Sequence, residues 1–372
     1  MRSLLQLPAS QGSRAANDEP IGLNGSQPIS AAAIRFRDAQ IEMAHGAGGK
    51  ASRRLIEGLI APILYQGVSR TLSDAAHVDV GGHRMAITTD GFVVSPLRFP
   101  GGSIGELAVN GTVNDLAVSG ARAEILAVTL VLEAGLETRV LEAEMRAMAQ
   151  AAQRAGVLVA AGDTKVVEHG KADKMYISTT GIGRAIPGVC VDPASIRPGD
   201  KILLSGPIGD HGITILLARG ELDLAADLRS DTRSVLPLVE AVAAACGSAI
   251  RWMRDPTRGG VATSLNEVAL DCRLGVVLEE ERIPIRDEVR GACELLGLDP
   301  LHIANEGQFL AIVGAGEAAR ALSALRACAG GESSAMIGEV CDEPGGTVLV
   351  STRYGGTRVV DMLVGDPLPR IC

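Results

Sequence analysis

Short apolar runs of β-type residues alternate with helix-patterned segments from about residue 41 to the end of the chain. In the first half, strands are predicted at 84–89, 124–132, 157–161 and 175–182, and helices at 51–64, 104–119 and 138–155. In the second half, strands are predicted at 201–205, 275–278, 309–313 and 347–351, and helices at 212–218, 234–246, 261–271 and 317–328. This alternation excludes an all-β sandwich and a purely helical bundle, and it predicts an α/β (α+β) fold.

The length of 372 residues predicts two domains. Proline–glycine turn signals at 186–188 and 197–200 place the boundary near residue 190, giving domains at 39–190 and 191–364. Residues 1–38 lack periodicity and are rich in small polar residues, so a disordered extension is predicted there. The segment 365–372 contains a glycine and two prolines and predicts a mobile arm that carries Cys372.

The composition argues against several classes of binding partner. A net charge of −9 argues against binding to nucleic acids and anionic membranes, and an aromatic content of 2% argues against stacking on single-stranded nucleic acid. The sequence shows no apolar run near the roughly 18 residues that span a bilayer and no convincing signal peptide. Seven scattered cysteines without a C-x-x-C pair argue against a zinc ribbon or a disulfide scaffold, and their odd number fits a cytoplasmic protein.

Two glycine-rich segments are candidates for phosphate binding. Gly46, Gly48, Gly49 and Lys50 precede a helix, where backbone N–H groups and the helix N-terminus favour anions and the lysine adds charge. The spacing matches neither a P-loop nor a dinucleotide-binding fingerprint, so a loop that only caps the helix is an equal alternative. A second segment of this kind contains Asp210, after a strand and at the start of a helix.

Aspartates occur repeatedly in short segments that are predicted to form turns beside apolar strands, among them residues 162–165. The aspartates are Asp74, Asp90, Asp115, Asp163 and Asp255. Any one of them is more readily explained as a turn former or a helix cap. Together they indicate carboxylates that hold Mg²⁺ against a polyphosphate, because Mg²⁺ prefers oxygen ligands and shares its shell with phosphates.

Two further residues are candidates for chemistry. Glu306 precedes an apolar strand and is either a general base or an ordinary strand flank. Cys372 is the last residue, and it is either a presented nucleophile or a chance residue on a frayed tail. The adjacent terminal carboxylate opposes formation of a thiolate, so a base or a positive field would have to be supplied by a neighbour.

Taken together, these motifs resemble the HypE family of hydrogenase maturation factors, within the aminoimidazole ribonucleotide synthetase superfamily. The resemblance covers about residues 41–372, and a terminal Pro-Arg-Ile-Cys is its most specific element; the N-terminal extension is not required by the family core. The matching segments are 45–50, 89–91, 114–117, 162–165, 209–212, 254–260, 305–307 and 369–372.

The resemblance implies a two-domain fold of the aminoimidazole ribonucleotide synthetase type whose first domains pair into a homodimer. It implies ATP-dependent dehydration of a carbamoyl group on Cys372 to a thiocyanate, which supplies the cyanide ligand of the iron in [NiFe]-hydrogenase. The implied partners are a HypF-like carbamoyltransferase and a HypC–HypD-like complex that carries the iron.

The resemblance also implies roles for individual residues. Glu306 and Lys165 would handle protons, with Asp115 assisting. ATP would be bound by Gly46, Gly48, Gly49, Lys50, Asp163, Thr164 and Asp210, and Mg²⁺ by Asp74, Asp90, Asp115 and Asp255.

Two other functions remain open from the sequence. One is an ATP-dependent kinase or synthetase of the same superfamily that acts on a free small molecule, which would leave Cys372 without a role. The other is a noncatalytic scaffold that docks through its tail, which would leave the aspartates without a role.

Overall fold

The computed structural model describes residues 35–65, 73–220, 226–365 and 368–372. Most of the predicted extension at 1–38, and positions 366 and 367 of the predicted arm, lie outside this part of the chain.

Mixed helices and strands fill both halves. In the first half the strands are β1 Ala76–Val80, β2 His83–Phe92, β3 Arg98–Phe99, β4 Gly102–Ser103, β5 Ala121–Glu133, β6 Leu158–Val167 and β7 Met175–Ala185. The helices are α1 Lys50–Leu55 and α2 Ala61–Leu64, joined by a π-helical turn at Ile56–Ile60, then α3 Ile104–Val118 and α4 Thr138–Ala155.

In the second half the strands are β8 Lys201–Leu204, β9 Ile250–Arg254, β10 Gly275–Glu279, β11 Leu310–Val313, β12 Ala335–Cys341, β13 Val348–Ser351 and β14 Thr357–Val360. The helices are α5 Asp210–Ala218, α6 Leu236–Cys246, α7 Gly260–Cys272, α8 Asp287–Leu296 and α9 Ala318–Ala327. Short 3₁₀ segments lie at Met43–Gly46, Pro193–Ser195, Gly247–Ala249, Glu280–Arg282 and Pro300–His302.

The first sheet has the strand order β1-β2-β7-β5-β6. The β5–β6 pair is parallel and is connected through α4, whereas the other neighbours are antiparallel. Helix α3 covers one face of the sheet, and its small and aliphatic side chains are almost all buried. Helix α4 is amphipathic, covers α3 and ends at Gly156 in the left-handed conformation that favours glycine.

The second sheet has the order β14-β13-β10-β12-β8-β11-β9. One apolar cluster joins the two halves, since it contains Phe92 and Leu116 from the first half and Val239 and Phe309 from the second. A second cluster fills the space between this sheet and α7. The relative position of the halves is therefore set by a shared core.

The architecture confirms the predicted α/β class. Helix α4 begins and ends where the pattern predicted, and α3 differs by one residue. The prediction of a turn at 162–165 was wrong, because these residues lie inside β6. Gly162 pairs with Val128 and Lys165 with Val131 of β5, so the ladder overrides the turn preference of a Gly-Asp pair.

Within the part of the chain that the structure describes, none of the helices is both long enough and apolar enough to cross a bilayer.

We expect Gly105→Ala to destabilise the fold, because the backbones of α3 and α4 are too close there to admit a side chain. A Cβ at Gly105 would lie 2.3 Å from the backbone oxygen of Glu144. Forced overpacking of this kind costs about 1–3 kcal/mol. Urea unfolding followed by circular dichroism measures the loss.

Gly291→Ala is the matched control in α8, where a new Cβ meets no atom within 4 Å. There the substitution should be neutral or stabilise the fold by about 0.5–1 kcal/mol, because alanine is the better helix former. Equal effects of the two substitutions would contradict the proposed close contact.

Candidate active site

Three aspartates from three separate segments meet at the junction of the two halves. Asp74 precedes β1, Asp115 lies in α3 and Asp255 follows β9. One carboxylate oxygen from each lies within 4.8 Å of the other two. Three of the predicted aspartates therefore lie together, and their role as metal ligands stays a prediction.

The cluster carries more negative charge than its surroundings favour. Burial, followed by the neighbouring carboxylates, raises the pKa of Asp115 and of Asp255 well above the usual range. Burial also raises the pKa of Asp74 to about 6, although Arg254 opposes the shift. Asp90 adds a fourth charge, which raises the pKa of each of the three.

A divalent cation fits this arrangement. Its charge would offset the repulsion between the buried carboxylates, and an all-oxygen donor set suits Mg²⁺. The residues in position to hold it are Asp74, Asp115 and Asp255, with Asp90 next to them.

Arg254 offsets part of the negative charge from within the protein. Its Nε lies 3.0 Å from Asp74 Oδ1 and its Nη2 lies 2.8 Å from Glu267 Oε2. Burial lowers the pKa of Arg254, but the carboxylates of Asp74 and Glu267 outweigh burial and raise it. One oxygen of Asp74 is therefore engaged by the guanidinium.

Glu306 is held by its backbone and carries a free carboxylate oxygen. Its N–H donates to Asp231 Oδ1 at 3.0 Å, and its carbonyl accepts from Asn114 Nδ2 at 3.2 Å. Among the described residues, Glu306 Oε1 is buried without a hydrogen-bond partner. Burial, and then Asp255 and Asp90, raise the pKa of Glu306 well above its usual range. A buried carboxyl with a raised pKa is suited to taking up a proton.

The glycine-rich loop closes over the second half of the chain. Arg258 Nη1 donates to Gly46 O at 3.0 Å. A Cβ at Gly48 would lie 2.7 Å from Arg258, and one at Gly49 would lie 2.3 Å from Leu363 O, so neither position has room for a side chain. Lys50 forms an ion pair with Asp361, and its backbone N–H donates to Leu363 O.

The end of the chain binds beside this loop. Val93 N–H donates to Cys372 O at 2.9 Å, and His211 Nε2 lies 2.8 Å from Ile371 O. Arg219 Nη2 donates to Pro369 O and, at 2.9 Å, to Arg370 O. Ile371 is buried. The last residues therefore dock through their backbone carbonyls.

Cys372 faces a cavity of about 290 Å³ that the loop and the tail share. Its lining includes Gly46, Ala47, Gly91, Arg258 and Cys372. The charge of Cys372 contributes most to raising the pKa of Arg258, and the carboxylates of Asp90 and Glu306 raise it further. Burial opposes this increase. Arg258 therefore interacts electrostatically with both Cys372 and the buried carboxylates.

Within one chain, some of the predicted site residues lie outside the acidic cluster. Asp163, Thr164 and Lys165 are exposed on the edge strand β6, where Asp163 and Lys165 form an ion pair at 2.6 Å. The strand register puts Asp163 three strand spacings, roughly 14 Å, from Gly91. Asp210 forms an ion pair with Arg286 at 2.8 Å.

The sequence reading missed two groups that hold the tail. Val93 and Arg219 carry no motif, because the first acts through its backbone and the second makes contact only when the chain end folds back. Arg258 lies in the segment 254–260, in which the sequence pointed to Asp255 alone as a site residue. Its signal was its position three residues after Asp255 in a glycine-rich turn.

The comparisons with known proteins agree over nearly the whole chain. Residues 72–185 match the family "AIR synthase related protein, N-terminal domain", and residues 197–351 match its C-terminal domain counterpart. The carbamoyl dehydratase HypE of Azotobacter vinelandii is 48% identical over 91% of this chain and 99% of its own length. The Escherichia coli HypE is 41% identical over 89% of this chain and 99% of its own length.

Solved structures give the same result. A HypE–HypF complex has a TM-score of 0.79 at 41% identity and covers 83% of this chain and 99% of the matched chain. A HypE structure in complex with ATP has a TM-score of 0.75 at 44% identity, covering 89% and 99%. A thiamine monophosphate kinase of Aquifex aeolicus, at 20% identity and a TM-score of 0.58, covers 82% of this chain and 97% of its own; it shows the shared fold alone.

We expect Asp115→Asn to stabilise the metal-free protein, and to do so more at about pH 8 than at about pH 5. Because the pKa of Asp115 is raised on folding, the stability of the neutral form is present at low pH and is lost as the pH rises through the raised value. The asparagine avoids that loss, so its advantage over wild type should grow by at least about 1 kcal/mol.

Urea unfolding at the two pH values, with and without Mg²⁺, measures this difference. Mg²⁺ should stabilise the wild type more than the variant. The control is Asp163→Asn, whose carboxylate has a pKa lowered by Lys165 and should give no such gain. An unchanged pH dependence in Asp115→Asn would contradict the electrostatic account.

Proposed function

The chain belongs to the HypE family of carbamoyl dehydratases, and we propose that it dehydrates a carbamoyl group carried on its own Cys372. The reaction uses ATP, forms a thiocyanate and serves the maturation of [NiFe]-hydrogenase. The observation that carries this proposal is the position of Cys372, which is held by Val93 N–H beside the shared cavity and close to Arg258. The thiol of Cys372 is thereby presented to buried acidic groups.

Dehydration requires the amide oxygen to become a leaving group. In the first step this oxygen attacks the terminal phosphorus of ATP, the bond from that phosphorus to ADP breaks, and one N–H proton is lost. In the second step the C–O bond breaks, the remaining N–H proton is lost, and a C≡N bond forms as inorganic phosphate leaves. The oxygen and both protons of the amide are then accounted for.

Glu306 is the proposed base for the second proton. Its Oε1 is buried and has no hydrogen-bond partner among the described residues, and its pKa is raised by burial and by Asp255 and Asp90. A base with a raised pKa accepts a proton more readily than an ordinary carboxylate. Its backbone contacts to Asp231 and Asn114 keep it in place.

Phosphate recognition is proposed for the loop at Gly46–Lys50, whose glycines line or border the cavity. Asp74, Asp115 and Asp255, with Asp90, would hold Mg²⁺, which neutralises charge on the transferring phosphoryl group when it is bound. Asp210 stays a proposed nucleotide contact: Arg286 engages its Oδ2, whereas its Oδ1 is buried without a hydrogen-bond partner among the described residues.

We propose that a second copy of the chain covers the open face of the first sheet. A row of exposed apolar side chains crosses that face, namely Ile87, Ile182, Ile125 and Leu158, which are neighbours in register. A two-fold partner that closes the sheet into a barrel places the β6 edge of one copy beside the β1–β2 edge of the other. Lys165 would then serve the Cys372 site across the dimer.

The tail must also leave its docked position, because the carbamoyl donor and the iron acceptor are other proteins. The solved HypE–HypF complex supports a HypF-like carbamoyltransferase as the donor. A HypC–HypD-like iron carrier as the acceptor belongs to the same proposal. Thiol chemistry at Cys372 fits the cytoplasm, where cysteines stay reduced.

The other two functions are less well supported. A kinase or synthetase acting on a free small molecule leaves the contacts of the tail unexplained, and the thiamine monophosphate kinase neighbour shares the fold alone. A noncatalytic scaffold leaves the acidic cluster and the unpaired Glu306 oxygen unexplained.

We expect Cys372→Ala to abolish formation of the cyano group while leaving the fold and ATP binding intact, because a terminal side chain contributes little to packing. Intact-mass analysis after incubation with a carbamoyl donor and ATP should show the wild type gaining a carbamoyl group and then losing one water. The variant should gain neither change. The control is Cys190→Ala, at an exposed cysteine remote in sequence. Full hydrogenase maturation by Cys372→Ala would refute the assignment.

Mixed dimers test whether Lys165 acts across the interface. Lys165→Ala and Glu306→Gln should each be inactive alone. A mixture restores sites that combine the glutamate of one copy with the lysine of the other, so about a quarter of wild-type activity should return after random exchange. Glu306→Gln mixed with Cys372→Ala is the control and should stay inactive, since both residues act within one chain. No recovery in the first mixture would place Lys165 in its own chain's site or outside the reaction.

A further inference from the structure

The backbone of Glu306 and Gly307 is held by side chains from other parts of the chain. Asp231 accepts from both N–H groups, through Oδ1 from Glu306 at 3.0 Å and through Oδ2 from Gly307 at 3.2 Å. Asn114 Nδ2 donates to Glu306 O at 3.2 Å, and Arg233 Nε donates to Gly307 O at 2.9 Å. Backbone groups usually bind other backbone groups, whereas here all four polar groups of two successive residues are bound by side chains.

Asp231 also touches this segment through its own backbone. A Cβ at Gly307 would lie 1.8 Å from Asp231 O, so the two backbones leave no room for the segment to shift closer. Burial raises the pKa of Asp231, whereas its two N–H donors and Arg233 lower it. Hydrogen bonds from N–H groups to a carboxylate are about twice as strong as neutral ones. The two contacts therefore fix both the position and the direction of the peptide that carries Glu306.

The residue next to Asp231 helps to hold the docked tail. His211 Nε2 lies 2.8 Å from Ile371 O, and its Nδ1 lies 2.8 Å from Ser230 Oγ, which accepts from Thr232 N–H at 3.1 Å. A carbonyl oxygen only accepts, so Nε2 carries the proton. Burial lowers the pKa of His211 to about 4, so the ring is neutral and Nδ1 accepts from the Ser230 hydroxyl. Neighbouring residues of one loop thus contact the proposed base and support the tail.

The same loop is anchored to the first half of the chain on both sides of Asp231. Ser230 N–H donates to Pro100 O at 2.9 Å, and Val235 N–H donates to Asn114 Oδ1 at 2.8 Å. Asn114 belongs to α3, the helix that also carries Asp115 of the acidic cluster. The loop therefore sets where Glu306 lies relative to the acidic cluster as well as to the tail.

We propose that Asp231 is a positioning residue for the dehydration, because it holds Glu306 in register with the tail that Ser230 and His211 support. The proposal rests on the proposed function, since it takes Glu306 as the base. A displacement of about 1 Å can slow a reaction by about 100-fold. Loss of one of the two contacts should therefore slow proton removal while leaving the binding of ATP unchanged.

The test follows one turnover in full-length protein that a HypF-like carbamoyltransferase has carbamoylated on Cys372. Mg–ATP is added over a range of concentrations, and intact-mass analysis after quenching gives the rate at which the carbamoyl group loses water. Asp231→Asn is the deciding variant, because it is isosteric and keeps one acceptor oxygen, whereas Asp231→Ala removes both and leaves a cavity. Asp200→Asn is the matched control, because Asp200 is a buried aspartate whose Oδ2 likewise accepts from a backbone N–H, that of Arg197 at 2.8 Å.

Asp231→Asn should slow the loss of water at saturating Mg–ATP by about tenfold or more, and the ATP concentration that gives half the maximal rate should change by less than about twofold. Asp231→Ala should be slower still. Asp200→Asn should lose stability in urea unfolding and keep a rate within about twofold of wild type.

A wild-type rate in Asp231→Asn, or a change in its half-saturating ATP concentration alone, would overturn the inference. Equal slowing in Asp231→Asn and Asp200→Asn would also overturn it, because lost stability would then explain both. A carbamoylated wild type that loses no water with Mg–ATP would instead refute the proposed function.

Discussion

The arrangement of the site depends on one constraint, which is that several carboxylates are buried in a small volume. Asp74, Asp115 and Asp255 approach within 4.8 Å, and burial together with mutual repulsion raises their pKa values. Such a cluster is unfavourable unless cations or protons offset it. Arg254 and Arg258 supply part of the positive charge that offsets the carboxylates, and a bound cation would supply the rest. The affinity for a metal and the cost of the empty site therefore have the same physical origin.

The buried cluster forms only because both halves of the chain contribute charged residues to it. Asp74 and Asp115 come from the first half, and Asp255, Arg258 and Glu306 come from the second. Asn114 holds the two sides together, because it binds backbone groups of Arg233, Val235 and Glu306. Within the second half, Asn305 binds the carbonyl of Pro256 and the N–H of Gly209. These two asparagines thus fix the positions of the segments that carry the site.

Much of the fold and part of the site could be predicted from the sequence, because the signals were local. Aspartates next to strand ends were recognised, since a strand that ends at small residues brings its side chains to one edge of the sheet. The segment at 162–165 was misread, since Gly-Asp-Thr has a turn preference that only pairing with β5 overrides. The role of Arg219 depends on 150 residues of intervening chain, and no local pattern reports a contact of that range.

The way the tail is held follows from what it has to do. On the proposed function, Cys372 must reach other proteins, which a large apolar anchor would prevent, and only Leu368 and Ile371 of the described tail are buried. Contacts to carbonyl oxygens from His211 and Arg219 are directional, and water can replace them; the net contribution is about 0.5–1.5 kcal/mol for a neutral hydrogen bond and about 1.5–3 kcal/mol for one from a charged group. Such contacts define the register of the tail without making its release slow.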